Sequence, residues 1–168
     1  MAEKDVIFSS KVKNTGVFNF KDFYNFCYNW LIDETELDFL TEESYTEKLS
    51  GDSKTIKISW SGDRKVTDYF KFNVKVNFLI TGLKEVEVTR DGAKEKTNQG
   101  TVEMKVKGTL VRDYKAKFES NAFKKFLRSI YEKYIIPARI NQFEGKIFGD
   151  CDEFLSQAKA YLDVVGKR

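Results

Sequence analysis

The chain has 168 residues, 15% of them aromatic, and a formal net charge of +3 at pH 7. It contains no histidine and only two cysteines, which excludes histidine-based triads, histidine general bases, HExxH sites and cysteine-rich metal sites. No GxGxxG or P-loop spacing occurs, and no apolar run reaches the roughly 18 residues that a membrane span needs.

The opening Met-Ala-Glu-Lys-Asp-Val lacks the basic-then-apolar layout of a signal peptide. One domain over residues 1–168, with room for a sizeable core, is the expectation from length. In chain order, Val6, Phe8 and Val12 share a parity and suggest a short strand over residues 5–13, followed by a turn at Asn14–Gly16. Asn19 is a good helix N-cap, and Phe18 and Phe23 have the spacing of a hydrophobic staple. A helix carrying Phe20, Phe23, Tyr24, Cys27 and Leu31 then runs to about Asp33.

From Asp33 to Lys48 the chain holds seven carboxylates against one lysine. Leu37, Phe39, Tyr45 and Leu49 share odd parity and suggest a strand, with Glu43 and Glu47 on the same face. Ser50–Ser53 reads as a turn, and Ile56, Ile58 and Trp60 as the next strand. The stretch Tyr69–Ile80 organises the rest. Phe70, Phe72, Val74, Val76, Phe78 and Ile80 alternate with polar residues, the pattern of a long strand with one buried and one wet face. Such strands belong to antiparallel sheets. Turns are expected at Thr81–Gly82, at Asp91–Gly92, a hairpin dipeptide, and at Asn98–Gly100. Val102, Met104, Val106 and Leu110 form the last strand, with Gly108 as a bulge candidate.

The period then changes. Phe123, Phe126, Leu127, Ile130, Tyr131 and Tyr134 fall on one helical face. Pro137 marks a break, and an apolar stripe from Ile140 to Leu162 continues to the end. Gly145 and Gly149 weaken this last helix and suggest either two pieces or a close helix contact. The fold class expected is α+β: a five- to six-stranded antiparallel sheet, with an N-terminal helix and two C-terminal helices packed on one face. This element order is similar to the helix-grip fold of START and Bet v1-like proteins, which implies a sheet wrapped around a C-terminal helix and an apolar cavity. In wording, Phe18–Tyr24, Trp30-Leu31, Lys65–Phe70 and Phe126–Tyr131 resemble a family of small uncharacterised archaeal proteins. That resemblance implies no activity.

Cys27 and Cys151 lie on the apolar sides of predicted helices and read as buried free thiols in a reducing, cytoplasmic setting, with a disulfide as the alternative. Glu43 and Glu47 flank Tyr45. Four residues apart in a strand they sit about 13 Å from each other, beyond the roughly 5–9.5 Å that paired carboxylates need for glycoside chemistry. They read as charges guarding a sheet edge or as a partner-binding patch. Asp68-Tyr69 and Asp113-Tyr114 at strand ends read as local backbone partners. Residues 121–139 carry Lys124, Lys125, Arg128, Lys133 and Arg139 against Glu132, a basic helix able to meet an acidic partner, phosphates, or the acidic 33–48 segment of another copy. The wet sheet face, with Lys57, Lys71, Lys75, Glu85, Glu87, Glu103, Lys105 and Lys107, reads as polar and of mixed sign. No cofactor or metal site is expected. The functional expectation is a non-enzymatic interaction or structural module that meets a protein partner or itself, through Glu43, Tyr45, Glu47, Lys124, Lys125 and Arg128. The alternatives are a carrier of a small apolar ligand and a weak nucleic-acid binder through the 121–139 helix.

Overall fold

Alternation between Phe70 and Ile80 is realised in β4 (Phe70–Arg90), and the six even-numbered apolar side chains of that stretch are all buried. In the computed structural model, residues 3–67, 69–112, 122–130, 133 and 137–166 are described. The other elements are β1 (Glu3–Phe18), α1 (Phe20–Thr35), β2 (Phe39–Ser50), β3 (Ser53–Lys65), β5 (Ala93–Arg112), α2 (Ala122–Ile130) and α3 (Pro137–Gly166). The five strands form one antiparallel sheet in the order β1-β5-β4-β3-β2. The protein is thus α+β, with α1 inserted between β1 and β2. The first strand pairs with the last, and β2 forms the opposite edge.

Several local signals decide their elements as expected. The Asn19 side chain accepts a hydrogen bond from the Asp22 amide at 3.0 Å, which satisfies one of the orphan donors of the first turn. The Phe18 and Phe23 rings meet at 5.9 Å, closing the staple. Asp91 and Gly92 both adopt positive φ (51° and 79°) between the paired Arg90 and Ala93. That is the geometry of the tight hairpin turn whose twist matches its strands.

Other expected breaks are absent. β1 runs straight through Asn14–Gly16, and β5 runs through Asn98–Gly100. The two segments pair with each other, Asn14 to Val102, Gly16 to Gly100 and Phe18 to Asn98. Each supplies the ladder partners that hold the other extended, and this outweighs turn propensity. Thr81-Gly82 is a register shift inside β4 rather than a turn. The count is therefore five long strands.

The core lies between the sheet and α1 with α3. Phe23, Cys27 and Leu31 of α1 and Ile147, Cys151, Phe154, Leu155, Ala158 and Leu162 of α3 are buried against the even face of β4 and β5. α3 is unbroken from Pro137 to Gly166. A Cβ at Gly145 or Gly149 would meet nothing within 4 Å, so these glycines serve neither a break nor a close helix contact. Gly108 does serve one. A Cβ there would lie 2.7 Å from Cys151 Sγ and 3.3 Å from Ile147 Cγ1, because α3 rests directly on the backbone of β5. Gly108→Ala is expected to lower stability by about 1–3 kcal/mol, the usual cost of overpacking. A drop of several degrees in a thermal melt checks this; an unchanged melting temperature would show that α3 has slack over β5.

The cysteines are free and buried, as expected. Burial raises the Cys27 thiol pKa strongly. Burial, with Asp150 second, pushes Cys151 up to about 12. The neutral thiols therefore favour the folded state. Their contribution is complete below the unfolded thiol pKa of about 8.5 and is lost as pH rises above it. Denaturant midpoints should fall as pH is raised through that range, and less so in Cys27→Ala/Cys151→Ala.

One expected helix buries none of its described side chains fully. Phe123, Phe126 and Leu127 of α2 are 67%, 59% and 39% exposed, and α2 buries no residue. Among the described residues, the C-terminal side chains buried against the sheet come from α3. Tyr131, Tyr134, Asp68, Asp113 and Tyr114 lie outside the described residues.

Candidate functional site

Two regions combine exposure with organised chemistry: the β2 edge facing α1, and the solvent face of the sheet.

At the first, two tyrosines of α1 reach β2. Tyr28 Oη donates to the Leu40 carbonyl at 3.3 Å, and Tyr24 Oη donates to Glu42 Oε1 at 2.7 Å. Tyr24 and Tyr28 also stand edge-on to the buried indole of Trp60, at 5.1 and 5.6 Å. Further along β2, Tyr45 Oη donates to Glu47 Oε1 at 2.6 Å. Burial first, then the carboxylate hydrogen bond, pushes the Tyr24 phenol up to about 12 and raises Tyr45 as well. Both phenols therefore remain donors across the physiological range. Phe20, Tyr24, Asn25, Lys21 and Tyr45 line a groove of about 300 Å³ between α1 and β2.

The expected trio of Glu43, Tyr45 and Glu47 is split. A register shift between Glu42 and Ser44 places an extra residue in β2, the signature of a β-bulge. Before it, Leu40 and Glu42 pair with Gly62 and Trp60 on the helix side; after it, Tyr45, Glu47 and Leu49 pair with Ile58, Ile56 and Lys54 on that side. Glu43 turns to the opposite face, where it lines a second groove. Glu42, not Glu43, is the carboxylate that shares a face with Tyr45 and Glu47. No one-residue shift of register is visible in the amino-acid string, so parity alone missed it.

The second region is built from five cross-strand rows that pass through Glu103, Lys105, Lys107, Thr109 and Val111 of β5. Residues directly opposite share a face. β1 brings Lys4, Lys11 and Lys13 to these rows, and β5 brings Lys105 and Lys107. β4 adds Lys71 and Lys75, and β3 adds Lys57 and Lys65. Against these nine lysines stand three carboxylates, Glu103, Asp63 and the bulged Glu43. The whole chain is only +3, so the remainder is net negative and the charge is segregated.

The mixed-sign reading of this face is corrected by the shift between Thr81 and Lys84. It sets Glu85 opposite Asn98 and Glu87 opposite Lys96, on the parity of the partner of buried Phe18. Two carboxylates expected on the wet face thereby leave it.

A groove of about 280 Å³ crosses this face, with Thr109 and Val111 as buried floor and Lys4, Lys71, Lys75 and Lys107 around it. Its acidic side is fixed internally. Asn73 Nδ2 donates to Asp63 Oδ1 at 2.7 Å, and Lys71 Nζ lies 3.8 Å from Asp63 Oδ2. Lys11 Nζ lies 3.6 Å from Glu103. Lys75 stands directly opposite Lys107, and Lys11 directly opposite Lys105. Like charges in that relation destabilise a sheet.

The basic trio Lys124, Lys125 and Arg128 lies on α2 and lines neither groove. No family model matches this chain, and no curated protein matches it. Among the described residues, no helix is long and apolar enough to cross a membrane.

Proposed function

We propose that this protein is a non-enzymatic interaction module whose working surface is the lysine-rich solvent face of the sheet, and that its partner is an acidic protein surface. The observation that carries this is the pair of like-charge contacts, Lys75 opposite Lys107 and Lys11 opposite Lys105. A sheet under selection for stability alone gains by alternating sign at such positions; an anionic partner turns the same arrangement into attraction and faster encounter. The lysine rows carry no arginine, and Phe39, 52% exposed, stands at the β2 end of the neighbouring Asp63 row; a single ring offers little base stacking to single-stranded nucleic acid.

An enzymatic reading finds less support. Glu43 and Glu47 sit on opposite faces, and Glu42 and Glu47 are each engaged by a tyrosine hydroxyl. The carrier reading loses ground where α3 touches the β5 backbone at Gly108.

The test is retention on immobilised poly-glutamate and on immobilised duplex DNA over a salt series. Retention on poly-glutamate that weakens with salt is expected. Retention on DNA alone would move the partner to the nucleic-acid class and overturn the protein reading; retention on neither would remove the face as a binding surface.

A further inference from the structure

We infer that the groove on the lysine-rich face is a phosphoryl site, which seats one phosphorylated side chain of the acidic protein partner. This rests on the reading of that face as a protein-binding surface and names the group that anchors the partner there.

Thr109 marks the centre of the site. It lies on β5 between Lys107 and Val111, two residues from each. Lys75 stands directly opposite Lys107, and Lys4 and Lys71 stand on either side of Val111. Lysines thus approach Thr109 from β1, β4 and β5, in rows about 7 Å to either side of it, within reach of their long flexible stems. The Thr109 side chain is 7% exposed and lines the groove. Among the described residues its hydroxyl has no hydrogen-bond partner. A buried hydroxyl in that state costs free energy, which an acceptor in the groove would recover.

The carboxylates of the groove stand away from that point. Asp63 lies two strands from Thr109, opposite Asn73. It is engaged by the Asn73 amide at 2.7 Å and by Lys71 at 3.8 Å. Glu43 projects from β2, three strands from Thr109 and so about 14 Å away. Among the described residues, Lys4, Lys75 and Lys107 form no ion pair. Three uncompensated cations therefore surround one unpartnered donor.

A phosphomonoester answers this arrangement better than a carboxylate does. It carries a charge of about −1.5 to −2 at pH 7 on three strong acceptor oxygens. A carboxylate offers a single charge on two oxygens in one plane, the shape that an arginine fork fits, and the groove holds no arginine. Separate ammonium point charges arriving from three strands suit a tetrahedral group. The volume of about 280 Å³ lies at the lower end of the range for ligand pockets, enough for one anchoring group. The phosphodiesters of nucleic acid carry one charge each and repeat along a strand, whereas these lysines converge on one point.

Fluorescence anisotropy on the full chain tests this with glutamate-rich peptides that differ at one central position: phosphoserine, aspartate or serine. The phosphoserine peptide is expected to bind about tenfold tighter than the aspartate peptide, and inorganic phosphate should displace it. Lys75→Gln/Lys107→Gln should bring that ratio to about one. Lys13→Gln/Lys57→Gln removes the same charge from the same face outside the groove; it should weaken both peptides and keep the ratio. Thr109→Val should lower phosphoserine affinity about tenfold and aspartate affinity less. The four lysines are exposed, so these variants should keep the native circular dichroism. Equal binding of the phosphoserine and aspartate peptides overturns the phosphoryl site and leaves the acidic-partner reading standing; binding of none of the peptides overturns both. A ratio that survives Lys75→Gln/Lys107→Gln, or falls as far in Lys13→Gln/Lys57→Gln, overturns the site as well. So does binding to vesicles with phosphoinositide headgroups by a chain that ignores the phosphoserine peptide, which would move the partner to a membrane.

Discussion

Lys105→Glu/Lys107→Glu is expected to stabilise the fold while removing its binding to an anionic partner. Lys107 faces Lys75, and Lys105 faces Lys11, directly across the ladder. Each replacement turns a repulsive cross-strand pair into an attractive one, worth about 0.2–1 kcal/mol per pair. Both positions are exposed, so no packing is lost. Two cations vanish from the face and two anions appear. At about 1 kcal/mol per basic residue near an anionic surface, affinity should fall by about a thousandfold. The salt dependence should flatten with it. Urea midpoints and poly-glutamate binding measured on the same preparation separate the cases. Greater stability with lost binding marks a functional face, whereas unchanged binding would show that the lysines are only a solvated surface. A fall in stability would mean that the like-charge pairs are held apart by contacts that benefit the fold.

The second large effect is on stability. Trp60 is 1% exposed, and its ring is met edge-on by Tyr24, Tyr28 and Phe78, the last at 4.8 Å. It is the point where β3, β4 and α1 meet. Trp60→Ala should cost about 3–5 kcal/mol, a large share of the roughly 5–15 kcal/mol that holds a typical domain together. The denaturant midpoint should drop with the slope unchanged. Trp60→Phe should cost much less. The indole nitrogen has no hydrogen-bond partner of good geometry among the described residues, so phenylalanine gives up volume but also removes a buried unsatisfied donor. Equal losses for the two variants would show that the Trp60 nitrogen, rather than its ring, carries the contribution.

The α1–β2 surface illustrates what the chain reveals without coordinates. The N-cap, the staple and the apolar stripe of α1 depend on residues within a few positions of one another, so they are legible in order. Tyr45 and Glu47 fall on the same side of β2 as their spacing suggests. Glu43 leaves them because one bulged residue reverses the parity downstream, and bulges arise from how two distant strands settle against each other. The exposure of α2 was equally hidden. Periodicity states that a helix has an apolar face and is silent on whether anything lies against it.

By itself the amino-acid order determined the long amphipathic strand, the helix start at Asn19, the Asp91-Gly92 hairpin and the passage from period two to period three or four. Each rests on sterics and hydrogen bonds between near neighbours. Tertiary structure alone decided that Asn14–Gly16 and Asn98–Gly100 stay extended, since each is held by the other across the β1–β5 ladder. It alone decided the sign of the sheet's outer face as well. The shift between Thr81 and Lys84 carries Glu85 and Glu87 to the other side, because a side chain's face is set by its pairing partner and not by its place in the chain.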